Sequence, residues 1–454
     1  MTRELGPTLR LAGPVVLAEL GWMAMGIVDT IIVGRLGAEA IGAVSIGGTF
    51  FLTVAVFGMG MLLGLDTLIS QAFGAGQLAD CRRAVTQGVY LGLALTLPLT
   101  ALVFMAGPWL NALGVNPVII RLAIPYIRAI AWSMGPLLVF AAFRRYLQAI
   151  GRLSPIVFAL VSANIINALA NWALVYGHLG APAWGVEGSG WATTLSRVYL
   201  ALVVVIAALI PRRGSGLALS ATDWRPDLAR IRRLLALGFP AAAHLTLEVG
   251  VFATATTLVG RLDSASLAAH QIVLNVASVT FMIPLGLASA AAVLVGRALG
   301  RRDPVAAVRA GWTAIALGAG FMTCSGLTFL LIPGWILGVF TTDPTVVATG
   351  LTLLGVAACF QLFDGLQGVT TGVLRGVGDT QTPMLINLLA HWALGLPCGY
   401  ALAFPGGLGA LGLWIGLSIG LVAAGLTLLR VWLRQARRLR QTETAPGVAF
   451  RARP

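Results

Sequence analysis

The sequence predicts an all-α polytopic membrane protein of twelve transmembrane helices, and three observations carry that prediction. Only 10% of its 454 residues are charged while 58% are hydrophobic, and mean hydropathy is +0.91; a soluble domain carries roughly 25% charged residues. Stretches almost free of charge, such as 42–65, 84–120, 154–177, 266–296 and 383–429, reach or exceed the roughly 20 residues a helix needs to cross a bilayer core. All 30 basic residues are arginine, and most of them sit in alternate connectors between the apolar stretches.

Breaking the chain at connectors rich in Gly and Pro or bearing arginine places helices near 8–33, 42–71, 84–107, 121–145, 154–176, 189–210, 233–259, 267–297, 306–332, 346–374, 383–403 and 408–433. The first is kept as a span and not read as a cleaved leader. Residues 11–33 exceed the 7–15 residues or so of a signal-peptide core, contain Glu19 and Asp29, and precede no small-residue cleavage site. Pro14, Pro98, Pro136, Pro240 and Pro284 fall inside or beside spans, where a missing N–H kinks a helix. Pro14 is singled out as a position where the first helix bends during a transport cycle. The longest polar connector, 211–232, separates six helices from six, giving an N-terminal unit (1–210), a linker, a C-terminal unit (233–433) and a basic tail (434–454).

A net charge of +14 raises the question of nucleic-acid binding. The placement of the charge answers it. Arg82/Arg83, Arg144/Arg145/Arg152, Arg212 to Arg233, Arg297 to Arg309, Arg375 and Arg430 to Arg453 lie in alternate connectors, while those near 107–118, 178–188, 333–345 and 404–407 have no arginine. This is the positive-inside pattern of a membrane protein with both termini in the cytoplasm, and no nucleic-acid partner is expected. Cys81, Cys324, Cys359 and Cys398 are scattered and suggest neither a disulfide framework nor a metal spacing.

The halves resemble each other. VGRL at 33–36 recurs at 259–262, and the same offset of 226 pairs Gly60 with Gly286, Ala72 with Ala298 and Gly74 with Gly300. Two six-helix repeats in one membrane orientation are the parallel arrangement of secondary transporters, with a substrate path expected between them.

Carboxylates inside spans are costly and mark functional positions by default. Three stand out: Asp29, Glu248 and Asp364, none with an arginine one helical turn away. Each can carry a proton or, with amide, hydroxyl and carbonyl oxygens, hold Na⁺. Asn167 and Asn171 share a face at i,i+4, Thr193 adds a hydroxyl, and Gln271 with Asn275 forms a second amide pair in the other half. His244, one turn before Glu248, is placed to hydrogen-bond it, while Glu19, Asp66 and Arg197 are read as structural. No GxxxxGK[ST] loop or HExxH motif occurs, which argues against ATP-driven transport and against a zinc-dependent intramembrane enzyme.

At these residues the chain resembles the multidrug and toxic compound extrusion (MATE) family, in its bacterial NorM-type branch. The resemblance runs over about 8–433, through VDTIIVGRLG (28–37), DTLISQAFGAG (66–76), NALANWALVYG (167–177), LAAHQIVLN with FMIPLGLASA (267–290) and LRGVGDTQTPM (374–384). It implies two six-helix lobes around a V-shaped cleft and a monomeric antiporter that exports amphipathic, often cationic drugs against H⁺ or Na⁺, with no cofactor. It places Asp29, Asn167, Asn171 and Thr193 at an N-lobe cation site, and Glu248 and Asp364 at a C-lobe site. Gln271 matches a polar substrate-cavity position, with Asn275 beside it and Phe360 expected to line the same cavity. A tyrosine of the family is Phe360 here, which removes an oxygen from the C-lobe site and favours protons there. The rivals are a lipid-linked oligosaccharide flippase, which would hold pyrophosphate with arginines in its cavity, and a passive channel.

Overall fold

A computed structural model describes residues 2–112, 114–210, 217 and 219–444. Most of the 211–218 stretch of the linker and the tail beyond 444 therefore lie outside the described residues. Within them the expected spans form: α1 (Thr2–Gly34), α2 (Ala38–Met61 continuing as Gly64–Gly74), α3 (Leu78–Phe104), α4 (Pro117–Ala131 with Met134–Ala149), α5 (Ser154–Tyr176) and α6 (Val186–Leu209). The second six are α7 (Leu228–Val259), α8 (Ser264–Gly300), α9 (Pro304–Leu331), α10 (Pro344–Val377), α11 (Gln381–Ala403) and α12 (Gly409–Thr444). Eleven are long and apolar enough to cross a membrane, and the two arms of α4, bent by 48°, bring the number to twelve.

The sequence explains the irregularities. Pro136 cannot donate to the carbonyl four residues back, so α4 breaks at Trp132 and Ser133. Pro397 does the same in α11, which widens into π-helical turns over Leu388–Gly395. Helix starts are fixed by short acids and amides. Asn116, Asp263, Asp303 and Asp343 each accept a hydrogen bond from a backbone N–H of the first turn that would otherwise go unpaired. A short helix follows the third span of each half, Ala106–Ala112 after α3 and Pro333–Gly338 after α9.

The chain divides into two compact units, Leu17–Ala242 and Met1–Val16 together with Ala243–Pro454. The sequence reading put the division in connectors, whereas it runs through α1 and α7, just after Pro14 and Pro240. These two prolines are themselves one repeat offset apart.

In the Leu17–Ala242 unit the core is built on Phe51, Leu62, Leu65, Ile69, Ile127, Met134, Leu137, Phe143 and Tyr146, all at most 2% exposed. Two of its internal acids are paired with arginines. Glu19 is joined to Arg144, and Arg145 lies 3.5 Å from Asp66, which explains the polar residues of α1 and α2 that have no solvent. The described part of the linker is docked and not loose. Arg82 Nε donates to Asp223 at 2.9 Å, Thr86 Oγ1 to the Asp223 carbonyl at 2.6 Å, Gln87 Nε2 to the Arg225 carbonyl at 3.0 Å, and Gln87 Oε1 accepts from the Asp227 N–H at 3.0 Å. Burial would push the Asp223 carboxyl up, but hydrogen bonds from Ser220 and Arg82 outweigh it and hold the group below the usual carboxylate range.

In the other unit α8, α10 and α12 pack around Leu353, Leu354, Ala357, Leu413, Trp414 and Leu421. Gly372 and Gly376 of α10 set this spacing, since a Cβ at Gly372 would meet the Ala288 carbonyl of α8 at 2.2 Å. Without a strong hydrophobic drive between helices in lipid, such close approach supplies the packing. Gln361 of α10 donates at 2.8 Å both to Thr280 of α8 and to Ser325 of α9.

Candidate functional site

Each unit holds a buried acidic centre made from residues distant in sequence. In the Leu17–Ala242 unit α5 lies along α1. Asn164 donates to the Gly21 carbonyl at 2.9 Å, and the Tyr176 hydroxyl donates to the Ile32 carbonyl. Between these two anchors the Asp29 carboxylate, 4% exposed, faces α5 and α6. Asn171 Nδ2 donates to one oxygen and Thr193 Oγ1 to the other, both at 2.7 Å. Asn171 also donates to the Asn167 carbonyl at 3.0 Å, which fixes its rotamer.

Asn167 lies near enough to act on the same carboxylate, yet its amide oxygen and nitrogen are buried without a hydrogen-bond partner, as is the Asn171 oxygen. Unpaired buried amide oxygens beside a carboxylate leave acceptor capacity that a small cation can satisfy. Asp29, Asn167, Asn171 and Thr193 thus lie together around one carboxylate. Arg197, read from the sequence as structural, stands one helical turn beyond Thr193 on α6. The i,i+4 spacing from Thr193 was the signal available for that placement.

The second centre belongs to the other unit. Glu248 Oε1 accepts from Gln367 Nε2 at 3.0 Å, and Glu248 Oε2 is 3.9 Å from His244 Nδ1. His244 Nε2 is 3.4 Å from Asn387 Nδ2, and Trp392 Nε1 donates to the Leu247 carbonyl at 3.0 Å, so the π-helical part of α11 is seated against α7 beside Glu248. Asp364 lies one turn before Gln367 on α10, close enough to Glu248 for their charges to interact. Gln367 and Asn387 were not singled out from the sequence. Amides are common in such helices, and only the fold brings these two to an acid.

The remaining predicted residues are not brought to an acidic centre. Gln271 and Asn275 are exposed on one face of α8, and among the described residues no hydrogen bond links them to Glu248 or Asp364. Phe360, expected to line a substrate cavity, is 4% exposed and stacks on Trp414 at 5.9 Å, whose indole donates to His270. Pro14 is half-buried within an unbroken α1. Asp29, Glu248 and Asp364 form no salt bridge with an arginine among the described residues.

A family model, MatE, matches this chain twice, over residues 14–173 and 240–401, and the two matches begin one repeat offset apart. A probable multidrug resistance protein NorM of Bradyrhizobium diazoefficiens is 39% identical, covering 94% of this chain and 93% of that protein. One from Mesorhizobium japonicum is 36% identical over 99% and 96%. Among solved structures, the eukaryotic MATE transporter AtDTX14 superposes with a TM-score of 0.87 at 23% identity over 97% and 99% of the chains. A MATE structure in the bent conformation gives 0.88 at 19% identity over 97% of each. With both halves matched by the family model and relatives of this identity along nearly its whole length, the chain belongs to the MatE family of multidrug and toxic compound extrusion transporters.

Proposed function

We propose that the protein is a secondary active efflux antiporter that exchanges H⁺ or Na⁺ for amphipathic, often cationic drugs by alternating access. It acts as a monomer in the bacterial inner membrane with both termini in the cytoplasm. The observation that carries this reading is that Asp29 and Asp364 are buried and Glu248 is half-buried in apolar helices, that amides, a hydroxyl and an imidazole face Asp29 and Glu248, and that none of the three acids is neutralised by an arginine. Carboxylates held this way switch between bare and cation-occupied forms. Entry of the coupling cation neutralises the acid and releases the drug, and its discharge on the other side resets the protein. One charge moving down 100 mV supplies about 2.3 kcal/mol, a concentration ratio of a few tens to one. The names of the NorM relatives support multidrug cargo.

Drug efflux in everted vesicles under an imposed H⁺ or Na⁺ gradient tests the reading. Cation-driven efflux is expected to be lost in Asp29→Asn, and impaired in Glu248→Gln and Asp364→Asn. Unimpaired efflux in all three would remove these acids from the mechanism.

A further inference from the structure

Arg197 is the unexplained charge of the Leu17–Ala242 unit. It is buried in α6, one turn beyond Thr193, and among the described residues it forms no salt bridge with a carboxylate. Its partners are neutral. Nη1 donates to Ser133 Oγ at 2.7 Å, at the break in α4, and the guanidinium lies over the Phe51 ring at 4.5 Å and the Trp22 ring at 5.5 Å. Trp22 is itself held by stacking on Phe140. The Arg197 Nε is buried without a hydrogen bond.

A structural arginine in an apolar interior normally pairs with an acid, because leaving a buried charge uncompensated is costly. Glu19 and Asp66 of the same unit show that such pairs form here with Arg144 and Arg145. Arg197 is instead held by two aromatic faces and a hydroxyl, and it stands one helical turn from Thr193, whose hydroxyl donates to Asp29 of α1 at 2.7 Å. Both oxygens of Asp29 are occupied by Asn171 and Thr193, so the arginine faces the site without capping it.

We propose that Arg197 is a tethered internal cation that opposes the coupling cation at Asp29, keeping occupancy of that site reversible. The guanidinium is fixed too far away to neutralise Asp29 by contact but near enough to lower its attraction for a second positive charge. Trp22, Phe51 and Ser133 prevent it from swinging onto the carboxylate. The inference rests on Asp29 being a coupling site. A unit charge about 10 Å away in a medium of effective dielectric about 20 changes cation affinity by about tenfold.

The test measures ethidium transport in proteoliposomes against the concentration of whichever cation, H⁺ or Na⁺, drives the wild type. Arg197→Gln is expected to shift half-activation to about tenfold lower cation concentration and to lower the maximal rate, because release slows. Arg197→Lys, which keeps the charge, is expected to stay within about twofold of wild type. Ser133→Asp gives the guanidinium a carboxylate partner without truncating it, and is expected to shift half-activation in the same direction as Arg197→Gln. Wild-type half-activation in both Arg197→Gln and Ser133→Asp, with Asp29→Asn having lost cation activation, would overturn this inference alone. Normal cation activation in Asp29→Asn would overturn it together with the coupling role of Asp29.

Discussion

The two acidic centres solve one problem in different ways. Asp29 is a single carboxylate with a neutral donor on each oxygen, both fixed at 2.7 Å. Glu248 has one amide at 3.0 Å and a histidine at 3.9 Å, and Asp364 makes no side-chain hydrogen bond among the described residues. The first centre is preorganised, because the donors that hold the bare acid are already in place. The second is a pair of like charges, and a single positive charge between them relieves their repulsion. The units of one internal repeat have thus diverged into a site built by hydrogen bonds and a site built by mutual repulsion.

Substitutions sharpen that contrast in decreasing order of effect. Asp29→Asn removes the only acid of its centre and is expected to abolish cation-driven transport while leaving a folded, monodisperse protein, measured as ethidium efflux and by size exclusion. Glu248→Gln and Asp364→Asn are each expected to impair transport by about tenfold or more. Because the two interact, the double variant should lose less than the sum of the single losses, whereas Asp29→Asn combined with Glu248→Gln should be close to additive. Equal additivity in both combinations would dissolve the distinction between the centres.

Smaller changes follow from the hydrogen bonds. Thr193→Val or Asn171→Ala removes one charge-assisted bond worth about 1.5–3 kcal/mol that holds the bare acid, and is expected to lower the half-activating cation concentration by about tenfold or more. Gln367→Ala should do less at Glu248, because its acid partner Asp364 remains. The smallest effect is structural. Asp223→Asn weakens the docking of the linker on α3 and is expected to cost about 1 kcal/mol of thermal stability at neutral pH. Folding lowers the Asp223 carboxyl, so its stabilisation is present above the unfolded value near 3.9 and fades as pH falls below it. The gap between wild type and Asp223→Asn should therefore close on acidification below about pH 4.

Much of this was legible in the chain because a bilayer imposes simple rules. Apolar length gave the spans and VGRL gave the repeat, while the cost of a buried acid pointed to Asp29, Glu248 and Asp364. The i,i+4 rule grouped Asn167 with Asn171, and the fold sets both beside Asp29. Contacts between helices were not legible. Gln367, Asn387 and the rings under Arg197 become informative only when α10, α11, α1 and α2 are placed against their neighbours. The same i,i+4 rule grouped Gln271 with Asn275, yet these lie on an exposed face, because spacing identifies a face without saying what the face meets. The substitution of phenylalanine at 360 is explained by its packing on Trp414, where a hydroxyl would have to be accommodated in a core.

The claim that an internal acid exchanges a cation for a drug is tested most directly by following the cation itself. Purified protein in proteoliposomes, given an ethidium gradient and no initial cation gradient, should move H⁺ or Na⁺ in the opposite direction. That movement should disappear in Asp29→Asn and be reduced in the Glu248→Gln, Asp364→Asn double variant. Ethidium movement at full rate with no counterflow of either ion, or counterflow unchanged in these variants, would contradict the account.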